Sequence, residues 1–345
     1  MTLPIRPPLE PMLARSEEEI PKGDGWRYEP KWDGFRAIAF RDGAHMTIGS
    51  RGGKTLERYF PELVAALAEA LPRRCVVDGE IVVAWDGVLD FEVLQQRIHP
   101  ADSRVRKLAK ETPSSYVAFD LLAEGSRDLR AEPLFRRWDR LTRILEPKPT
   151  GRTMRAILAP HTRVVLTPQT THALEATRWF DELEEAGLDG VIAKRDDLTY
   201  QPGKRVMVKV KHQRTIDCVV GGYRIHKSGR GVGSLLLGLY DENGILHQVG
   251  ASGAFSMADR LAMLDMLRPL EGGQAFEGGA TLGGPSRWRA QEKDWIPVEP
   301  ALVCEVAYDH FQGGRRFRHL AQFLRWRPDR KPRSCTFDQV SERRG

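Results

Sequence analysis

Glu29-Pro30-Lys31-Trp32-Asp33-Gly34-Phe35-Arg36 is the most informative stretch of the chain, because it holds the pattern Lys-x-Asp-Gly-x-Arg. Average residue frequencies give roughly a 1% chance of one such match in a chain of this length. A surface turn with flanking charges would also be written this way, so the chemistry has to be weighed. A lysine is a nucleophile only when neutral, and its reference pKa is about 10.4. Nearby positive charge lowers that pKa and frees the lone pair. Asp33-Gly34 makes a tight turn after Lys31, and Arg36 can grip sugar or phosphate oxygens. These parts suit attack by Lys31 on the α-phosphorus of a nucleotide, leaving a phosphoramide on the lysine.

Outward from this stretch, the chain up to about residue 212 reads as mixed helix and strand. Cys75–Val83 is short and β-branched, the pattern of a strand pair or a bulged strand, and Tyr116–Leu122 reads the same way. Leu56–Leu71 and His172–Ala186 carry apolar residues at helical spacing, the second ending in Gly187 as a C-cap candidate. Beyond 212 the character changes. Ile216–Ile225 reads as a strand, and 233–240 with 245–250 reads as a hairpin across Asp241-Glu242-Asn243-Gly244. Met257–Leu267 is an expected helix, and Ala301–Tyr308 and Arg318–Trp326 are expected strands. Strands with one interposed helix fit a small barrel of the oligonucleotide-binding type. The boundary is expected near Lys211–Arg214.

The 345 residues are enough for two ordinary domains, and 41% hydrophobic content supports a real core. No apolar run approaches the roughly 18 to 20 residues of a membrane span, and the first residues lack the apolar core of a secretory signal. A cytoplasmic protein is the plain expectation. The net charge of +6 favours a polyanionic partner without proving one. The positive charge gathers late: Lys204, Arg205, Lys209, Lys211 and Arg214, then an arginine-dense tail from Arg315 to Lys331. Cys75, Cys218, Cys304 and Cys335 are far apart and form no Cys-x-x-Cys pair, which argues against a structural zinc and for reduced thiols.

Further strings follow the Lys31 pattern in order: Ser50-Arg51-Gly52-Gly53, Asp78-Gly79-Glu80, Phe119 in Val-Ala-Phe-Asp-Leu-Leu, Asp189-Gly190-Val191-Ile192-Ala193-Lys194, and Val208-Lys209-Val210-Lys211. Taken singly, Glu80 reads as an edge-strand carboxylate, Phe119 as core, Asp189-Gly190 as a turn, and Lys209 with Lys211 as one solvated strand face. Taken in order, they resemble the motifs of the covalent nucleotidyltransferase superfamily, which holds DNA ligases, RNA ligases and mRNA capping enzymes. The ending, with Phe323-Leu324-Arg325-Trp326-Arg327-Pro328-Asp329-Arg330-Lys331, resembles the ligase motif of the barrel domain. The usual form there is Arg-x-Asp-Lys, so Arg330 changes the geometry while keeping the charge. A basic tail on the DNA backbone is the alternative for that stretch. Two further departures are Asp189 for the usual glutamate and Met207 for a tryptophan.

The resemblance implies an α+β fold: an adenylation domain over 1–212, with antiparallel sheets and flanking helices, followed by an OB-fold β-barrel over 213–345. It implies an ATP-dependent DNA ligase that carries AMP on Lys31 and seals nicks in three phosphoryl transfers. It assigns Arg51 to the nucleotide pocket, Glu80 to the ribose and, with Asp189, to Mg²⁺ or Mn²⁺. It puts Phe119 on adenine, Glu29 at the exocyclic amine, and Lys209 and Lys211 on the α-phosphate. Arg327 and Asp329 are expected to orient pyrophosphate, with the barrel swinging between nucleotide and DNA about a hinge near Lys211. NAD-dependent ligases carry an extra domain before the nucleophile and a four-cysteine zinc finger, so a minimal two-domain ATP enzyme is expected. The flanking strings are similar to bacterial ligase C and to the ligase domain of ligase D. Nicked duplex DNA is the expected partner, a DNA end-binding repair protein a further one, and a monomer near the nucleoid the expected setting. A GTP-using capping guanylyltransferase, an RNA ligase and a binding protein with a dead transferase domain are the rival readings.

Overall fold

A computed structural model, which describes residues 3–145, 158, 164–184, 186–277, 295–313 and 315–341, shows a mixed α+β chain. It divides into two units, Met1–His212 and Gln213–Gly345. The first holds strands β1 (Leu13–Glu17), β2 (Trp26–Pro30), β3 (Phe35–Asp42), β4 (His45–Ser50), β5 (Arg74–Trp85), β6 (Val88–Leu89), β7 (Ser114–Glu124), β8 (Arg127–Asp128), β9 (Val164–Leu166), β10 (Val191–Arg195) and β11 (Arg205–Val210). Its helices are α1 (Pro61–Ala70), α2 (Phe91–Gln96), α3 (Asp102–Glu111), α4 (Leu134–Leu145) and α5 (Ala173–Glu182).

The larger sheet runs β4-β3-β5-β7-β8, with β6 on β5 and β9 parallel to β7, and stays open at both edges. A second sheet runs β1-β11-β10-β2. The residues of β5 alternate as the pleat requires. Cys75, Val77, Ile81 and Val83 enter a core shared with α1 and α4, whose Leu63, Leu67 and Leu141 are fully buried. Replacing one of these leucines by alanine would cost about 2–5 kcal/mol. On the other face Val76 joins one apolar cluster and Val82 another. Between these two valines, on the same face, stand Asp78 and Glu80. Two carboxylates are thus held on a strand whose neighbours are apolar.

The strand expected around Cys75–Val83 is one long bulged strand pairing, and the bulges lie on its partner. Val77 pairs with Leu121 and Asp78 with Asp120, but Gly79 pairs with Ala118, so Phe119 is the extra residue of β7. A bulge re-aims a side chain. Here alternation puts Phe119 on the cleft side, opposite Tyr116 and Ala118, and the bulge brings Leu121 back to the core beside Ala118.

The helix expected over Leu56–Leu71 starts only at Pro61, after a 3₁₀ turn at Glu57–Tyr59. Phe60 precedes the proline and is pushed out of the helical region, to φ −133° and ψ 56°. The helix expected over His172–Ala186 is regular only to Glu182; of that span, Glu185 lies outside the described residues. Gly187, at φ +82°, donates to the Glu184 carbonyl and Leu188 to the Leu183 carbonyl, the bond pair that closes a helix end on glycine.

The second unit holds β12 (Arg214–Ile225), β13 (Val232–Tyr240), β14 (Leu246–Gly253), β15 (Ile296–Pro297), β16 (Val303–Tyr308), β17 (Phe311–Gln312), β18 (Arg316–Phe317), β19 (Ala321–Trp326) and helix α6 (Met257–Leu267). β12 is long enough to serve two partners. Its first half pairs with β16 and its second with β13, with bulges in the β13 ladder. Following the pairs β12-β13-β14-β19-β16 returns to β12. The hairpin turn is held by Asp241, whose carboxylate accepts from the amides of Asn243 and Ile245. The strands expected from Ala301 and Arg318 begin later, at Val303 and Ala321. Arg316–Phe317 pairs instead with Phe311–Gln312 in a small hairpin of its own. Cys75, Cys218, Cys304 and Cys335 are all free and buried. Among the described residues no helix is long and apolar enough to cross a membrane.

Candidate active site

A cleft of about 220 Å³ lies in the first unit, lined among others by Glu29, Lys31, Arg36, Arg51, Glu80, Phe119, Lys194 and Lys209. The strand β2 ends at Pro30 and delivers Lys31 to its floor. Lys31 is pinned by its own backbone. Its amide donates to the Gly190 carbonyl at 2.8 Å, and its carbonyl accepts from the Asp189 amide at 3.2 Å. Gly190 sits at φ +131°, and a Cβ there would lie 2.0 Å from the Val210 carbonyl oxygen, so only glycine fits. This docking sets the side chains. Lys31 Nζ donates to Asp189 Oδ2 at 2.6 Å, and Lys211 Nζ lies 3.3 Å from the same oxygen. Asp189 is only 4% exposed at its side chain and Lys31 17%, so the amine stands in a recess rather than in open solvent.

On β11 the period of two sends Arg205, Met207 and Lys209 to the cleft and Val208 and Val210 to an apolar cluster. Lys209 therefore lines the wall while Lys211, just past the strand, reaches Asp189. Arg51 also reaches the wall from the end of β4.

The inner face of the larger sheet supplies the opposite side. Arg36 grips fully buried Asp78 through Nε and Nη2, each at 2.7 Å, and Tyr200 Oη donates to Asp78 at 2.6 Å. Beside them burial pushes the Glu80 carboxyl up to about 7, against the pull of Arg36 and Lys31. Arg36 lies 4.2 Å and Lys194 4.7 Å from the centre of the Phe119 ring. Glu29, 3% exposed, accepts from Lys194 Nζ at 2.9 Å and from Gln169 Nε2 at 2.9 Å. Burial raises its pKa, and Lys194 opposes that rise most strongly.

Nine of the eleven residues singled out in the sequence thus fall in the first unit, around or beside one cleft. The other two, Arg327 and Asp329, lie in the second unit, where Arg327 pairs with Asp329 at 2.7 Å and with Asp217 at 3.0 Å. The hydrogen bonds of Arg327 hold the Asp329 carboxyl down at about 2. Arg330, which departs from the usual lysine, also pairs with Asp217 at 3.0 Å. Gln169, Tyr200 and Asp217 carried no signal in the sequence. Lys194 did: a lysine closing the apolar run Val191-Ile192-Ala193 has to be buried with a partner. Among the described residues no cluster of three or more His, Cys, Asp or Glu side chains stands ready to hold a metal ion. Glu80 and Asp189 do both border the Lys31 amine.

Residues 11–211 match the family described as ATP dependent DNA ligase domain, and residues 228–330 match the ATP dependent DNA ligase C terminal region. DNA ligase C2 of Mycolicibacterium smegmatis is 52% identical over 99% of this chain and 96% of its own length. The multifunctional non-homologous end joining DNA repair protein LigD of Mycobacterium tuberculosis is 32% identical over 94% of this chain, which spans 39% of that protein. Among solved structures, a Lig E DNA ligase aligns with a TM-score of 0.56 at 16% identity, covering 92% of this chain and 99% of the other, a likeness of fold.

Proposed function

The chain belongs to the ATP-dependent DNA ligases, and from that premise we propose which of its residues carry the reaction. Such an enzyme seals 5′-phosphate/3′-hydroxyl nicks in duplex DNA through a lysyl-AMP intermediate. Lys31 is the residue that carries AMP here. The observation that supports this is its amine, recessed and 2.6 Å from buried Asp189, beside Glu80 and Lys211.

A lysine held in an ion pair has no free lone pair, so attack requires Lys31 to part from Asp189 and release one proton to solvent. Its nitrogen then bonds to the α-phosphorus of ATP while the bond to the bridging oxygen breaks and pyrophosphate leaves. Lys209 and Lys211 neutralise the α-phosphate. Phe119 stacks on adenine, Glu29 accepts from its exocyclic amine, and Arg36 and Arg51 serve the sugar and phosphates. An oxygen of the DNA 5′-phosphate next attacks the same phosphorus, which frees Lys31 and leaves an adenylated DNA end. The 3′-hydroxyl then attacks the 5′-phosphorus and AMP departs. Each step needs positioning and charge neutralisation more than proton shuttling.

A divalent cation, Mg²⁺ or Mn²⁺, fits the donor set. Glu80 is a buried carboxyl whose ionised form is disfavoured by desolvation and by the nearby carboxylates of Asp78 and Asp33, so a cation there would be welcome, and Asp189 offers hard oxygen ligands. These two residues would hold the ion, which when bound supplies charge neutralisation at the phosphates.

We read residues 1–212 as the adenylation domain and 213–345 as an OB-fold, on the ring of strand pairs in the second unit. Arg327 and Asp329 orient pyrophosphate in the first step. The basic stretch around Arg315–Lys331 serves nicked duplex DNA, with binding that weakens as salt rises. The similarity to an end-joining protein favours a repair role beside a DNA end-binding partner, for a monomer in the cytoplasm near the nucleoid.

Intact mass before and after ATP is the direct test. The expected result is a gain of one AMP, absent in Lys31→Ala, followed by sealing of a labelled nicked duplex. Labelling from GTP alone, sealing only of an RNA 3′-strand, or an unchanged Lys31→Ala enzyme would each overturn the assignment.

A further inference from the structure

Glu29 stands at the end of a chain of polar contacts with a fixed direction. Asp196 pairs with Arg27, Arg27 Nη1 donates to Gln169 Oε1 at 3.0 Å, and Gln169 Nε2 donates to Glu29 Oε1 at 2.9 Å. A guanidinium can only donate, so it forces the amide oxygen of Gln169 to face Arg27 and the amide nitrogen to face Glu29. From the other side Lys194 Nζ holds both oxygens of Glu29, at 2.9 and 2.8 Å. Lys194 is 2% exposed, a buried charge whose counter-charge is Glu29. Both groups hydrogen-bonded to this carboxylate, Gln169 and Lys194, are donors and suit its ionised form.

We propose that Lys194, helped by Gln169 as oriented through Arg27, makes the pocket select 6-amino over 6-oxo purine nucleotides by keeping Glu29 an acceptor-only edge. This deepens the reading of the cleft as an AMP-transfer site and rests on it. An ionised carboxylate accepts from an exocyclic amine and faces a carbonyl oxygen with repulsion. A protonated carboxyl has one O–H and one C=O, and so serves either base edge. Burial pushes Glu29 towards that protonated, unselective form, and Lys194 is the largest influence against it. The other charges facing Glu29 do not replace Lys194. Asp120 on β7 disfavours ionisation and is itself bound to Arg137 of α4. Arg27 is committed to Asp196 and Gln169, and Arg36 to Asp78. Lys194 also lies over Phe119, so one ammonium contacts both the base-reading edge and the stacking ring. Lys194 acts through Glu29 and is a positioning residue.

The test uses the full chain and two nucleotides that differ at position 6, ATP and inosine triphosphate. The readout is the ratio of their initial rates of attachment to the protein, followed by intact mass between about pH 6 and about pH 8.5. The ratio cancels whatever pH dependence the two reactions share. In the parent it should favour ATP and stay flat. In Lys194→Met it should fall about tenfold or more at the acid end and climb as pH rises and Glu29 ionises. Lys194→Gln, which keeps a donor and the side-chain volume, should behave in the same way, and it carries the test if the Met variant does not fold. Rates for both nucleotides that drop in parallel, with an unchanged and pH-independent ratio, would overturn the proposal. A parent that attaches neither nucleotide would instead sink the functional reading beneath it.

Discussion

The ε-amine of Lys31 and the carboxylate of Asp189 meet at 2.6 Å although 158 positions separate them in the chain. The same two residues exchange a backbone hydrogen bond, from the Asp189 amide to the Lys31 carbonyl. The ion pair is therefore set by the main chain and not by the chance reach of two side chains. On the proposed role of Lys31, the resting lysine is tethered, and turnover has to break the tether before the amine attacks.

Lys31→Ala should abolish AMP attachment, with a loss of at least about 10³-fold in nick sealing from ATP. The last transfer needs no amine, since the 5′-phosphate is already activated. The variant should therefore seal a chemically adenylated nick within about tenfold of the parent rate. Equal losses on both substrates, measured by gel, would mean that Lys31 does something other than carry AMP.

Gly190→Ala should destabilise the first unit by about 2–4 kcal/mol, because a Cβ has nowhere to go against Val210 and the φ is unsuited to alanine. Urea unfolding measures it. A near-neutral effect would show that the Lys31–Gly190 backbone bond is dispensable.

Glu80 predicts a pH dependence of stability in metal-free buffer. Its folded pKa, about 7, lies above its ordinary value of 4.5. The group's contribution is fully present below pH 4.5 and is lost as pH climbs through 7, because the unfolded chain releases this proton first. The full effect is up to about 2–3 kcal/mol, less where solvent reaches the carboxyl. Glu80→Gln should remove this slope, leaving the variant more stable than the parent at pH 8. Parallel stability curves for the two proteins between those limits would contradict it.

Asp217→Asn should loosen both Arg327 and Arg330, which share its carboxylate. AMP attachment should slow by about tenfold or more, while sealing of a pre-adenylated nick changes little, since the pyrophosphate role proposed for Arg327 and Asp329 bears only on the first transfer. Single-turnover rates of the two steps separate them, and an equal slowing of both would assign Asp217 to folding of the second unit.

The sequence by itself determined the identity of the chemistry. Lys31, Glu80, Phe119, Asp189 and the lysine pair are carried by local strings, and the Met257–Leu267 helix is legible because its signals are local as well. Only the tertiary structure decided who partners whom. Glu29 meets Lys194 from 165 positions away and Gln169 from 140, and Asp78 meets Tyr200 from 122. Those pairings depend on strand register. A single extra residue, such as Phe119 in β7, shifts every later side chain to the other face, and nothing local announces it. Short-range patterns record what a segment prefers; the hydrogen-bond ladder between distant strands selects which of its side chains share the cleft.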